Sequence, residues 1–144
     1  MNDNNHLSKW DKRFIRMAME VSTWSKITHS QQGCVAVSST NRQFTVGYNG
    51  LPKNYTDTDI VELCDTVHAE LNCIINAGRD LTGWSLYVTK APCLECAKAI
   101  ASAGIVNIWS PCPEGSWKAN QQQAIELLGA CNIIQYTYGE LNGN

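Results

Sequence analysis

At 144 residues with 44% hydrophobic, the chain has the size of one ordinary domain, able to bury about two thirds of its unfolded surface, and no apolar run approaches the ~20 residues that cross a bilayer. Lys and Arg number 11 against 13 Asp and Glu, a net charge of −2 that argues against a polynucleotide partner, which usually demands a basic stripe, while leaving room for one nucleotide held by a few local cations. The 7 cysteines are odd in number in a chain that is not small, and the polar start lacks a signal-peptide pattern, so the expectation is a reduced protein of the cytoplasm, with no membrane partner.

From Lys9 to about Ser22, Trp10, Phe14, Met17, Ala18 and Val21 recur at helical spacing, with Ser8 as N-cap and Asp11 three residues on. Ser25 to Gln32 is polar and irregular, and Lys26 is its only full positive charge. Cys34 to Ser38 and Gln43 to Tyr48 are short β-like runs joined by Ser39-Thr40-Asn41-Arg42, which predicts an antiparallel hairpin. Asn49-Gly50-Leu51-Pro52 ends the second strand, and a polar loop runs to about Asp65. His68 to Ala77 reads as a helix stopped by Gly78, with His68 and Glu70 in its first turn. Trp84 to Thr89 is a strand, Leu94 to Ala103 a helix ended by Gly104, Ile105 to Ser110 a strand, Asn120 to Leu128 a helix stopped by Gly129, and Asn132 to Tyr138 the last strand. With no repeat or low-complexity block, residues 1–144 form one α/β domain in the order αββαβαβαβ, in which crossover helices make the later strands parallel.

The chemistry concentrates between His68-Ala69-Glu70 and Pro92-Cys93-Leu94-Glu95-Cys96. One imidazole and two thiolates suit tetrahedral zinc, and three protein ligands leave a corner open for water, as catalytic sites do. Glu70, two residues beyond the His68 ligand, can lie beside that corner and move protons without binding the metal. Two other readings compete. A lone C-x-x-C can be a redox pair, although such pairs need no distant His-x-Glu. A closed structural zinc needs a fourth ligand; Cys73, five positions after His68, rotates away from its face, whereas Cys64 remains open. Cys34, Cys64, Cys73, Cys112 and Cys131 are otherwise read as small buried hydrophobes.

His-x-Glu followed by Pro-Cys-x-x-Cys resembles the signature of zinc nucleobase deaminases. The chain is similar over most of its length to the cytidine deaminase superfamily, and within it to the deoxycytidylate (dCMP) deaminases. The likeness rests on Ser25-Lys26 with Ser30-Gln31 and Gly33, Gly47-Tyr48-Asn49-Gly50 with Pro52, His68-Ala69-Glu70-Leu71-Asn72, and Cys96-Ala97-Lys98 continuing to Ala103-Gly104-Ile105. Ile27-Thr28 and Cys73 depart from the usual pattern. The stretch from Pro52 to Val67 lacks the Cys/His cluster that binds a second zinc in some relatives, so one zinc per chain is expected.

The resemblance implies a three-layer α/β/α domain with a five-stranded mixed sheet, an antiparallel first hairpin and parallel later strands. It implies His68, Cys93 and Cys96 as zinc ligands, Glu70 as proton shuttle, and hydrolysis of dCMP to dUMP and ammonia, supplying dUMP for dTMP synthesis. Asn49 would meet the deoxyribose, the Ala69 N–H the base O2, and Ser25 and Lys26 the 5′-phosphate, with Trp117 and Lys118 closing over the nucleotide. Relatives are often homohexamers activated by dCTP with Mg²⁺ and inhibited by dTTP, here at Gly50, Leu51, Lys53 and Asn54. A deaminase acting on both dCMP and dCTP, and a zinc-stabilised nucleotide-binding module without turnover, are the alternatives.

Overall fold

The computed structural model describes residues 4–55 and 65–141. Ser8 caps helix α1 (Lys9–Ser22) as the spacing requires: its hydroxyl accepts the Asp11 N–H at 3.0 Å, and the Asp11 carboxylate accepts the Ser8 N–H at 2.8 Å. Strands β1 (Gly33–Val37) and β2 (Phe44–Tyr48) follow as the expected hairpin, then α2 (Ala69–Ala77), β3 (Ser85–Val88), α3 (Leu94–Ser102), β4 (Asn107–Ser110), a 3₁₀ turn (Gly115–Trp117), α4 (Lys118–Ala130) and β5 (Ile134–Thr137).

The five strands form one sheet in the order β2-β1-β3-β4-β5. β1 is antiparallel to both of its neighbours, while β3, β4 and β5 are parallel. The expected mixed five-stranded sheet is therefore present. The crossover from β2 through α2 passes over β1 and returns in the same direction as β2.

Strand alternation divides the core. Cys34, Ala36, Leu86, Val88 and Ile108 face α2, α3 and α4, packing with Ala69, Cys73, Cys96, Ala97, Ile100, Ala124 and Leu128. Val35, Val37, Tyr87 and Trp109 face α1 and pack with Leu7, Phe14, Ile15 and Ala18. This is three layers, with one helix on one side and three on the other. Among the described residues no helix is long and apolar enough to cross a membrane.

Three expectations are corrected. His68 is the N-cap of α2, in extended conformation, one step outside the first turn. Gly129 does not stop α4, which runs to Ala130; the reversal falls at Asn132, an asparagine at φ 62°, where a polar side chain tolerates the left-handed region. Cys34 and Cys73 are buried as expected, but Cys112 and Cys131 are exposed, because they sit after β4 and at the end of α4, where the chain turns at the surface. Cys64 lies outside the described residues.

Candidate metal centre and nucleotide cavity

Two helix starts converge. His68 is the N-cap of α2, and Cys93 the N-cap of α3 with Cys96 one turn in, so both extended caps leave their side chains free of their own helices. α2 reaches this place because Gly47 lets β2 touch it: a Cβ at Gly47 would lie 2.3 Å from the Cys73 nitrogen and 2.4 Å from the Ala69 oxygen. The absence of any side chain there is a condition of the site.

The ligand atoms of His68, Cys93 and Cys96 all lie within 4.8 Å of one another, the only such cluster among the described residues. His68 Nδ1 is 3.2 Å from Cys96 Sγ and 3.5 Å from Cys93 Sγ. Zinc bonded tetrahedrally to sulfur at ~2.3 Å and nitrogen at ~2.05 Å separates the two donors by about 3.6 Å, so this triangle and its donor chemistry fit the ion. Cys73 takes no part: its thiol is buried and donates to the Thr45 carbonyl at 3.4 Å.

The ionisable groups of the cluster perturb one another. The Cys96 thiol and then the His68 ring hydrogen-bond the Cys93 sulfur and lower its pKa to about 4. The Cys96 thiol is pushed up, chiefly by that bond to Cys93, so without metal the two sulfurs share a proton that a bound ion would displace. His68 is raised by its bond to Cys93, against desolvation. Glu70, 8% exposed, has its carboxyl pKa raised mainly by burial, which disfavours the charged form.

A cavity of 340 Å³ opens at this cluster, large enough for a nucleotide, lined by His68, Ala69, Glu70, Cys93, Asn49 and Trp117 among others. Asn49 is held rigidly. Its Oδ1 accepts the Gln32 N–H at 2.8 Å and its Nδ2 donates to the Ser30 carbonyl at 2.6 Å. Ser25 lies beneath it, with its hydroxyl donating to the Asn49 carbonyl at 2.8 Å and accepting the Ile27 N–H at 3.2 Å. That hydroxyl, expected to face a phosphate, is instead spent on the loop, and Ser25, Lys26 and Lys118 are not among the residues lining the cavity. Lys26 is exposed on the loop that Asn49 fastens, and Lys118 begins α4. Trp117, 51% exposed, stands at the wall of the cavity from the 3₁₀ turn.

Gly50, Leu51, Lys53 and Asn54 lie beyond the cavity lining. Gly50 pairs with Val67 in a two-bond bridge, and Asn54 turns the chain at φ 72°.

Several lining residues escaped the sequence reading. Ser30 and Gln32 sit in the polar loop; the Thr89 hydroxyl donates to Gln32 Oε1 at 2.8 Å and accepts the Gly33 N–H at 2.9 Å, tying that loop to the end of β3. Lys90 and Thr66 line the wall, and Gln121 is 1% exposed against it. A glutamine run at 121–123 looks like a solvated helix face, and only the docking of α4 buries its first member.

Residues 8–112 match the family model described as the cytidine and deoxycytidylate deaminase zinc-binding region. An uncharacterized deaminase in the luxG 3′ region of Aliivibrio fischeri is 43% identical over 113 residues, covering 75% of each chain. The human deoxycytidylate deaminase is 36% identical over 115 residues, 69% of this chain and 63% of that one, so the match spans less than two thirds of the human protein. Among solved structures, the dCMP deaminase of cyanophage S-TIM5 in complex with dCMP and dUMP superposes with a TM-score of 0.74 at 22% identity, covering 92% of this chain and 99% of that one. At that identity the likeness is one of fold.

Proposed function

Because the chain belongs to the cytidine and deoxycytidylate deaminase family, we propose that it is a zinc-dependent hydrolase converting dCMP to dUMP and ammonia. One observation carries the reading: three zinc-type donors converge at the wall of a nucleotide-sized cavity that also holds a buried carboxyl with raised pKa. The named deoxycytidylate deaminases among the relatives support the choice of base and phosphate.

His68, Cys93 and Cys96 would hold the zinc, which when bound supplies a Lewis acid that lowers the pKa of water from ~15.7 towards ~7. Glu70 takes a proton from the attacking water and passes it to N3 of the cytosine as the bond from oxygen to C4 forms. It then carries a second proton to the exocyclic amine; the C4–N bond breaks and ammonia leaves. A carboxyl that binds protons more readily than usual suits both transfers. The Ala69 N–H, an orphan donor of the first turn of α2, meets the base O2. Asn49, fixed by the loop at 30–32, meets the deoxyribose. We assign the 5′-phosphate to Lys26 on that loop and Lys90 on the cavity wall, with Ser25 beneath Asn49, and cover of the nucleotide to Trp117 and Lys118.

The further reading, supported by the family resemblance alone, is a single-domain cytoplasmic homohexamer supplying dUMP for dTMP synthesis. Gly50, Leu51, Lys53 and Asn54 would respond to dCTP with Mg²⁺ as activator and to dTTP as inhibitor. Zinc content is measured, then ultraviolet loss of cytosine with dCMP, dCTP and deoxycytidine supplied separately. Turnover of dCMP above the other two is expected. Comparable turnover of dCTP moves the substrate to a pair of cytosine nucleotides, and bound zinc with no turnover of any would leave a binding module.

A further inference from the structure

The start of α3 asks two things of Cys93. It is the N-cap, and its sulfur also lies 3.5 Å from His68 Nδ1; an N-cap side chain serves the N–H of the second or third helical residue, which leaves that of the first, Leu94, to be met from elsewhere. The Leu94 N–H, one of the orphan donors at the start of the helix, is nevertheless satisfied. It donates to Oδ1 of Asn120 at 2.8 Å, from the first turn of α4, 26 residues along the chain. The next residue, Gln121, donates from Nε2 to the Ala91 carbonyl at 3.0 Å and accepts the Glu114 N–H on Oε1 at 3.1 Å. Adjacent side chains of α4 thus grip the backbone on both sides of Pro92-Cys93.

We propose that Asn120 and Gln121 are positioning residues for the thiolate pair: α4 holds the backbone on both sides of Cys93 from outside, and so fixes where the Cys93 sulfur lies in the ligand triangle. The inference rests on reading His68, Cys93 and Cys96 as the zinc ligands. Without the Asn120 oxygen, the Leu94 N–H must find another acceptor. The start of α3 is then free to shift, and a shift there carries the Cys93 sulfur off the ligand triangle. Groups that orient metal ligands in this way typically change affinity 10- to 100-fold when removed. Asn120 itself does not line the cavity, so zinc affinity is the direct readout of its role.

The test is zinc affinity, read by competition with a chromophoric chelator for wild type, Asn120→Ala, Asn120→Asp and, as a helix control, Gln123→Ala. Circular dichroism at the same temperature establishes that each is folded. Asn120→Ala should bind zinc ~10- to 100-fold more weakly, while Asn120→Asp, which keeps an acceptor oxygen, and Gln123→Ala stay close to wild type. A role confined to helix stability would lower the melting temperature of Asn120→Ala and leave its zinc affinity unchanged, and that result overturns the proposal. So does equal weakening in Asn120→Ala and Asn120→Asp. Should Asn120→Ala not fold, Asn120→Ser, too short to reach Leu94, carries the same comparison. A wild-type protein that takes no zinc instead removes the ligand assignment on which the proposal stands.

Discussion

The two faces of the sheet are built from different materials. Towards α1 stands a ladder of aromatic rings: Tyr87 and Trp109 stack with centroids 4.5 Å apart, Trp109 and Tyr136 at 4.6 Å, in register across three parallel strands, and Phe14 closes on Tyr87 at 5.4 Å. Towards α2, α3 and α4 the strands and helices meet through Cys34, Ala36, Ala69, Cys73, Cys96 and Ala97. Stacked rings fill the space below one helix, whereas aliphatic and small side chains together pack the other face, and only that face carries the candidate ligands. The aromatic ladder and the chemistry thus lie on opposite sides of one sheet.

The largest expected effect touches the chemical side without disturbing its packing. Glu70→Gln should lower kcat by at least ~10²- to 10⁴-fold while zinc content and melting temperature hold, measured by ultraviolet assay, metal analysis and calorimetry. If zinc left with the carboxylate, Glu70 would be a ligand and the proton-shuttle role would fall. On the other face, Trp109→Ala removes a ring 9% exposed and should cost about 3–5 kcal/mol in denaturant unfolding, with kcat per zinc unchanged at a temperature where the protein is folded. A proportionate loss of kcat would mean that the two faces are not separable.

Gly47→Ala is smaller in stability, about 1–3 kcal/mol for a methyl forced against backbone, yet it should also weaken zinc binding, because the atoms it meets belong to the helix that His68 caps. A variant that lost stability alone would show α2 able to shift without moving His68. The smallest change is Tyr87→Phe, which deletes the 2.8 Å bond from the phenol to Asp11 and should cost about 1 kcal/mol with no effect on zinc or turnover. Burial and that bond hold the phenol proton far above its usual range, so the difference between the two proteins should be constant below pH ~10 and shrink above it, where only the unfolded tyrosine ionises.

What could be read from the chain follows the same division between local and distant causes. Ser8 and Asp11 are three residues apart and announce their capping box; His68-Ala69-Glu70 and Cys93 to Cys96 declare their ligands by type and spacing. Ser25 reads as a phosphate ligand in the local sequence, because its partner, the Asn49 carbonyl, lies 24 residues away and leaves no mark there. Gln121 was overlooked for the same reason, since its burial depends on α4 meeting Ala91 and Glu114. Gly129 reads as the end of α4 because glycine is the commoner stop, although the helix runs to Ala130 and Asn132 performs the reversal.

The sheet order also dictates a sequence of assembly. β1 and β2 form a hairpin across six residues, but β3 pairs with β1 and not with β2, so the chain carrying His68 must cross the hairpin before Cys93 can arrive beside it. Pairing over such separations closes late, because loop entropy is spent before the contacts repay it. The His68–Cys93–Cys96 triangle should therefore be completed after the hairpin on refolding. Zinc capture, followed in real time, should lag behind the hairpin signal and report the docking of β3 on β1.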